Sequence, residues 1–195
     1  MKFFSLAKQK RLISFNRLTV VADRGCPSLD YAIENSLNAH LISYRQNNPS
    51  ELINILDCER ADVIVTNWHK IIGSDVVGRF ENKLVNLHYS LLPAFPGLIG
   101  VEPIKQAINR GCKYIGPTCH LVDEGVDTGY ILSQYAFPTP CEFSTAVTLM
   151  FRFGCLCLLD GVEALLNNHL TSIKLTFAEK MELFGDDFWE ELAQL

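Results

Sequence analysis

Two polar residues at the end of an apolar segment, Asn86 and His88, are spaced so that they could act together. Residues two apart in an extended segment project from the same face of a sheet. Histidine exchanges protons near neutrality, and an asparagine amide can donate to a developing oxyanion. The pair therefore predicts acid–base work combined with electrostatic stabilisation. From spacing alone, a structural histidine, hydrogen-bonded in the loop after the strand, is the more common alternative.

A third candidate, Asp127, lies in the glycine-flanked segment 125–129, GVDTG. Glycines let a backbone approach a ligand closely, although aspartate in such a segment more often shapes a turn. Ser90 could complete a Ser-His-Asp hydrolase, but it lacks the Gly-x-Ser-x-Gly elbow that exposes such a nucleophile. Cys119 and His120 have no second ligand pair at a metal-site spacing. We interpret them as core or supporting residues, and no metal site is predicted.

The elements that must position these side chains alternate between short β-branched segments and segments of helical period. That alternation is typical of βαβ units around a parallel sheet. The predicted strands cover Leu18–Ala22, His40–Tyr44, Asp62–Thr66, Leu84–Leu87, Thr118–Val122 and Tyr130–Tyr135. The predicted helices start at Pro27 (with Ser28 as N-cap) and at Pro49, and cover Ser74–Arg79, Pro103–Asn109 and about Ser144–Leu166. The sequence therefore predicts an α/β fold with a mostly parallel, Rossmann-like sheet and helices on both faces.

Composition narrows the class of protein. Hydrophobic residues make up 48% of the 195, enough for a sizeable core, and this excludes disorder as the default. The net charge of −5, with no basic stripe, argues against a nucleic-acid partner. The seven cysteines include no C-x-x-C pair, which favours reduced thiols and a cytoplasmic location. The apolar segment Ala146–Leu166 carries Arg152, Asp160 and Glu163, so we expect a buried core helix and no membrane partner.

Three motifs, in order, carry a resemblance to a known family. They are the segment 86–93 (NLHYSLLP) followed by Phe95 and Gly97, the pattern G-x-T-x-H-x-V at 116–122 and the pattern D-x-G-x-I at 127–131. With the βα pattern from about Leu18 to Leu166, they resemble the folate-dependent formyltransferases, which include phosphoribosylglycinamide formyltransferase, methionyl-tRNA formyltransferase and the sugar-nucleotide N-formyltransferases. The resemblance implies that Asn86, His88 and Asp127 are catalytic.

The resemblance also implies 10-formyltetrahydrofolate as donor cosubstrate and a small-molecule amine as acceptor, without a metal. The acceptor would be a phosphoribosylglycinamide-like compound or an amino-sugar nucleotide. The pterin is expected between the segment after the third strand and the loop before Asp127. Isoleucines would form an apolar wall, and main-chain groups would hydrogen-bond the pterin edge. The residues implied for this donor site are His69, Lys70, Ile71, Ile72, Leu121, Val122, Asp123 and Val126.

The chain departs from the family pattern at its N-terminus. The family's first strand and phosphate loop are not recognisable, and Leu18–Ala22 corresponds to the family's second strand. We expect an N-terminal helical arm over 1–15, the catalytic domain over 16–170 and an acidic helical tail over 171–195; a homo-oligomer is left open. The missing loop motivates an alternative function, a non-catalytic folate-binding or protein-interacting relative. A nicotinamide-binding Rossmann protein is weaker, because no G-x-G-x-x-G follows the first strand.

Overall fold

The structure, a computed structural model, describes residues 1–68, 70–166 and 185–193. The helices are α1 (Lys2–Gln9), α2 (Pro27–Glu34), α3 (Ser50–Glu59), α4 (Ser74–Arg79), α5 (Glu102–Asn109), α6 (Phe143–Leu166) and α7 (Asp186–Ala193). The strands are β1 (Thr19–Ala22), β2 (Asn38–Leu41), β3 (Ile64–Thr66), β4 (Leu84–His88), β5 (Tyr114–Ile115), β6 (Thr118–Leu121), β7 (Ile131–Gln134) and β8 (Phe137–Pro138). The chain divides into a first unit, Met1–Arg60 with Ile173–Leu195, and a second unit, Ala61–Ser172.

The first unit contains a parallel strand pair, β1 and β2, joined through α2. A parallel pair needs such a crossover, because its strands run in the same direction. Leu29 and Ala32, three residues apart on α2, form a buried cluster with Val20 and Ala22 of β1. The predicted N-terminal helix is present as α1, whose Phe3 ring packs edge to face against a phenylalanine of α7.

The start of α2 differs from the prediction in one detail. The helix begins at Pro27, whose fixed φ suits the first turn. Cys26 takes the cap position, and no side chain caps the helix there. The prediction of Ser28 as N-cap is therefore wrong, because proline at the first helical position places the cap two residues earlier, at Cys26, and leaves Ser28 inside the first turn.

The second unit is built on the strand order β3-β4-β6-β7. β3 and β4 are parallel, and α4 lies between them in sequence. β6 and β7 continue the sheet in antiparallel fashion. A separate antiparallel pair, β5 with β8, was not predicted, because each strand is only two residues long. The pairing of the described strands is thus mixed, with parallel pairs at β1–β2 and β3–β4.

Helix α6 packs against β4, β6 and β7 and is buried along most of its inner side. Two glycines let it approach the sheet. A Cβ on Gly161 would lie 2.3 Å from Cys119 Sγ, and one on Gly154 would lie 3.2 Å from both Leu87 and Tyr89. The expected core helix at Ser144–Leu166 is therefore confirmed. No helix in the described ranges is long and apolar enough to cross a membrane.

The predicted α/β, Rossmann-like class is confirmed, and several boundaries agree closely. The helix predicted at Ser74–Arg79 is α4 without change. The strand predicted at His40–Tyr44 is displaced toward the N-terminus, to Asn38–Leu41. The division into an arm, a domain and a tail stays a prediction, and much of the expected tail, residues 171–184 and 194–195, lies outside the described residues.

Candidate active site

β4 and β6 present two different faces. Asn86 and His88 alternate with Leu87 along β4, and the antiparallel register places His120 opposite Asn86 and Thr118 opposite His88. Because side chains alternate along strands, these four polar residues share one side of the sheet. Leu87 lies on the other side, next to Gly154 of α6. We call the first side the polar face and the second the helix face.

His88 is buried, and both of its ring nitrogens face oxygen atoms. Nδ1 lies 3.3 Å from Asp127 Oδ2, and Nε2 lies 2.9 Å from the carbonyl oxygen of Phe95. A carbonyl oxygen can only accept, so Nε2 carries a proton and donates it. The expected meeting of His88 and Asp127 is present, and the chain itself already occupies both nitrogens of the ring.

Asp127 is held in a conformation that few residues adopt, with φ at 56°. The Gly97 N–H donates to its Oδ2 at 2.7 Å, and His120 Nε2 lies 3.5 Å from its Oδ1. The turn after Asp127 depends on Gly129, where a Cβ would lie 1.8 Å from the Leu121 carbonyl oxygen. Oδ2 therefore accepts a hydrogen bond from the Gly97 N–H, whereas Oδ1 faces the His120 ring at a longer distance.

These surroundings favour the charged form of Asp127. The contact with His120 contributes most to lowering the pKa of this carboxyl below its ordinary value. The Gly97 N–H and the charge on a protonated His88 lower it further, whereas burial acts in the opposite direction. Asp127 is therefore a carboxylate at neutral pH, and its Oδ2 lies beside Nδ1 of His88.

Asn86 is half-buried and is contacted from the neighbouring parallel strand. Thr66 stands opposite it in the β3–β4 register, and the Thr66 hydroxyl lies 3.3 Å from Asn86 Oδ1. Among the described residues, no hydrogen bond joins Asn86 to His88. The structure therefore brings Asn86 onto the same face as His88 and Asp127 without a direct bond to either.

The loop from Tyr89 to Gly100 is anchored by one buried hydroxyl. Thr118 Oγ1 donates to the Ser90 carbonyl oxygen at 2.7 Å and accepts from the Leu92 N–H at 3.1 Å. The Gln134 amide donates to it at 2.8 Å and also to the Leu92 carbonyl oxygen at 2.9 Å. A hydroxyl has one proton and two lone pairs, so Thr118 is fully satisfied. The network fixes where the chain leaves β4 and hence where His88 lies.

The hydrolase alternative receives no support from this loop. Ser90 is buried, and its hydroxyl donates to the Ala94 carbonyl oxygen within the loop. Both nitrogens of His88 face other groups, Asp127 and Phe95. Ser90 is therefore a turn residue in this structure rather than a nucleophile paired with a base.

The implied donor-site residues lie on two segments, one after β3 and one that begins at the end of β6, and they differ in how much surface they expose. His69 lies outside the described residues. Ile71 and Val126 are 69% and 56% exposed, so apolar surface is available for a pterin wall. Of the other residues in this set, Lys70 and Asp123 are exposed. The half-buried ones are Ile72, Leu121 and Val122.

Main-chain recognition at Leu121 and Val122 is limited by the sheet. The Leu121 N–H donates to the Tyr130 carbonyl oxygen, and the Val122 N–H donates to that of Leu84. The Asp123 carboxylate accepts from the Gly125 N–H and the Thr128 hydroxyl, which closes its own loop. Hydrogen bonds to a pterin edge would therefore fall to other groups of these loops.

Sequence reasoning did not assign site roles to Thr66, Phe95 or Gly97, and it placed His120 only among core or supporting residues. The i, i+2 spacing of Thr118 and His120 was a usable signal, because it puts His120 on the polar face. Phe95 and Gly97 belong to the first family motif, but nothing in the sequence indicated which groups they contact. In the described part of the chain, His, Cys, Asp and Glu side chains form no cluster of three or more suited to a metal.

Comparison of the sequence with known proteins identifies a matching family. Residues 14–153 match the sequence profile of the family described as formyl transferase. The chain belongs to this family. It is 34% identical over 128 residues to the chloroplastic phosphoribosylglycinamide formyltransferase of Arabidopsis thaliana, an alignment covering 61% of this chain and 44% of that protein. It is 36% identical over 91 residues to the formyltetrahydrofolate deformylase of Escherichia coli K12, covering 46% and 31% respectively.

A solved formyltransferase-family structure shows the same fold. The phosphoribosylglycinamide formyltransferase of Bacillus halodurans superposes with a TM-score of 0.73 at 25% identity, covering 88% of this chain and 93% of that one. The chain spans less than half the length of the two curated relatives above. The resemblance to folate-dependent formyltransferases is confirmed, while the roles of individual site residues stay predictions.

Proposed function

We propose that this formyltransferase-family chain transfers the formyl group of 10-formyltetrahydrofolate to the amine of a small-molecule acceptor. The observation that carries the proposal is the 3.3 Å contact between the buried His88 and the half-buried Asp127, on the face that also presents Asn86. These are the residues that the family motifs mark as catalytic. Membership of the family supports formyl transfer as the reaction class.

The chemistry that the site must support is attack of the amine nitrogen on the formyl carbon. Electrons of the formyl C=O bond move to its oxygen, and negative charge develops there. Asn86 Nδ2 and a protonated His88 would donate to this oxygen, a form of stabilisation that gains from groups already in place in a dry site. Collapse of the intermediate re-forms the C=O bond and breaks the bond to N10 of the folate.

Asp127 would take part in transferring the proton of the attacking amine. Its carboxylate lies 3.3 Å from His88 Nδ1, within reach for proton exchange with the ring. The proton lost by the attacking amine passes, through water and this pair, to the departing N10. Reactants and products then carry the same number of protons, so no external acid or base is needed.

The acceptor we propose first is a phosphoribosylglycinamide-like amine. The name of the Arabidopsis relative supports it, although the chain spans only 44% of that protein. An amino-sugar nucleotide is the other proposed acceptor. Hydrolysis, with water as acceptor, is a second candidate, because one relative is a formyltetrahydrofolate deformylase.

The non-catalytic alternative is less well supported than turnover. A protein that only bound folate would have no need of a half-buried carboxylate beside the histidine, held by the Gly97 N–H. We also propose a cytoplasmic location, supported by the seven cysteines that the structure holds as free thiols. A homo-oligomer stays a prediction.

The test is incubation of the purified chain with 10-formyltetrahydrofolate in separate reactions. One contains phosphoribosylglycinamide, one a panel of amino-sugar nucleotides, and one no acceptor. Tetrahydrofolate is followed by absorbance, and formylated product or formate by mass spectrometry. Acceptor-dependent product supports the transferase, and formate without acceptor identifies a deformylase. Folate binding without release in every reaction would favour the non-catalytic relative.

A further inference from the structure

One hydroxyl beside the site, that of Thr66, has no part in the scheme above. Thr66 ends β3 and stands opposite Asn86 in the parallel register with β4. Its Oγ1 lies 3.0 Å from the Val85 carbonyl oxygen and 3.3 Å from Asn86 Oδ1. The side chain is half-buried, which limits competition from water.

The amide of Asn86 is asymmetric in its partners. Its oxygen faces the Thr66 hydroxyl, whereas Nδ2 donates to no other side chain or carbonyl group in the described part of the chain. An amide can rotate by half a turn, exchanging oxygen and nitrogen with little change of shape. The orientation therefore depends on the neighbouring groups, and Thr66 is the neighbour that contacts the amide.

We propose that Thr66 is a positioning residue that sets the orientation of the Asn86 amide. The hydroxyl donates to Oδ1 and holds the oxygen toward β3. One hydrogen of Nδ2, the one opposite to the C=O bond, then points away from β3, where it is free to donate to the formyl oxygen as its charge develops. The inference rests on the proposed function and deepens it, because it explains how the oxyanion donor is kept ready.

The opposite orientation makes a different prediction. If the hydroxyl proton went only to the Val85 carbonyl oxygen, Oγ1 could accept from Asn86 Nδ2 instead. Thr66 would then hold the donor away from the substrate. Removing the hydroxyl would free the donor and raise turnover, so the sign of the effect distinguishes the two arrangements.

The kinetic test compares Thr66→Val with Thr66→Ser. Valine keeps the shape and removes the hydroxyl, and we expect kcat to fall about 3- to 10-fold, the effect of one hydrogen bond, with KM for the donor within about 2-fold. Serine keeps the hydroxyl and should retain most of the wild-type kcat. Thr148→Val is the matched control, since Thr148 donates to its own helix at Ser144 on an exposed surface. Unchanged or increased kcat in Thr66→Val overturns the inference.

A double-mutant cycle separates positioning from a general structural effect. In an Asn86→Ala background there is no amide to orient, so Thr66→Val should cause no further loss of single-turnover rate. The same fold-loss in both backgrounds would show that Thr66 acts through the structure as a whole and would overturn the inference. A wild-type chain that releases no tetrahydrofolate under any condition contradicts the proposed function instead.

An NMR measurement decides the orientation without turnover. The Asn86 side-chain NH2 signals are assigned by their loss in Asn86→Asp. In the proposed orientation, the nuclear Overhauser effects between these protons and the Thr66 methyl group are weak. The protons have no hydrogen-bond partner on Thr66, so Thr66→Val removes no hydrogen bond from them. Strong contacts to Thr66 would establish the flipped amide and refute the inference, whatever the reaction proves to be.

Discussion

The polar face and the helix face of the second unit belong to the same strands, but the first carries the candidate site and the second packs against α6. On the polar face, His88 and His120 are buried and meet the carboxylate of Asp127. On the helix face, Leu87 and Cys119 pack closely against glycines of α6. Because side chains alternate with a period of two, a shift of one residue would exchange the faces. Packing against α6 therefore specifies which side chains meet on the other side.

The largest expected effect belongs to the polar face and to the proposed function. His88→Ala and Asp127→Ala should each reduce turnover by about 100-fold or more, because both residues act on the transition state. The midpoint of thermal unfolding should change little by comparison. Tetrahydrofolate release checks the first expectation and circular dichroism the second. Near-normal rates in either variant would contradict the assignment.

A substitution on the helix face should lower the free energy of unfolding and leave the activity per folded molecule largely unchanged. In Gly161→Ala, the new methyl group would meet Cys119 Sγ at 2.3 Å, so we expect a loss of about 1–3 kcal/mol in the free energy of unfolding. Activity per folded molecule should stay close to wild type. Urea unfolding measures the change.

Two companion variants sharpen that test. Cys119→Ala combined with Gly161→Ala removes the clashing sulfur and should recover part of the loss. Gly154→Ala should cost less, since its nearest neighbours would lie 3.2 Å from the new carbon. Equal losses in all three variants would show that the sulfur contact is not the cause.

A smaller effect is expected from the dependence of the free energy of unfolding on pH. It arises from Asp127 and hence from the polar face. The pKa of Asp127 is lower in the folded chain than its ordinary 3.8, so the unfolded chain binds more protons between the two values. Stability from this carboxylate is complete above the ordinary value and is lost as pH falls through the folded one. The stability advantage of wild type over Asp127→Asn should shrink below about pH 4, measured by urea unfolding. An advantage that does not change with pH would contradict the prediction.

The smallest effect should come from a glycine away from both faces. Gly78 lies in α4 with nothing within 4 Å of a Cβ, so Gly78→Ala should stabilise the chain by about 0.5–1 kcal/mol, because alanine loses less backbone freedom on folding. Thermal unfolding at neutral pH checks it. A destabilised variant would mean that α4 is packed more tightly than the structure shows.

Local patterns carried much of the fold and the centre of the site. The apolar segment before Asn86 and the helical period of α4 predicted β4 and α4 closely, because burial decides both. The spacing of Asn86 and His88 predicted a shared face without knowledge of partners. The position of Asp127 followed from a family motif, since spacing alone indicated only a turn.

Long-range register explains what the sequence could not predict. Thr66 meets Asn86 only because β3 and β4 pair in one register, and nothing in either segment specifies it. The carbonyl of Phe95 is a backbone group, so residue type carries no signal for its bond to His88. The β5–β8 pair was missed for a similar reason, as two-residue strands have no detectable period.

The bond from His88 Nε2 to the Phe95 carbonyl makes entry of a ligand an exchange rather than an addition. Any molecule that takes up this N–H must first displace the chain's own oxygen, so its measured affinity is the difference between two hydrogen bonds. Phe95 stands at a positive φ of 58°, and Gly97, two residues on, also holds Asp127. Release of the imidazole and loosening of the carboxylate are thereby tied to a single three-residue stretch of backbone.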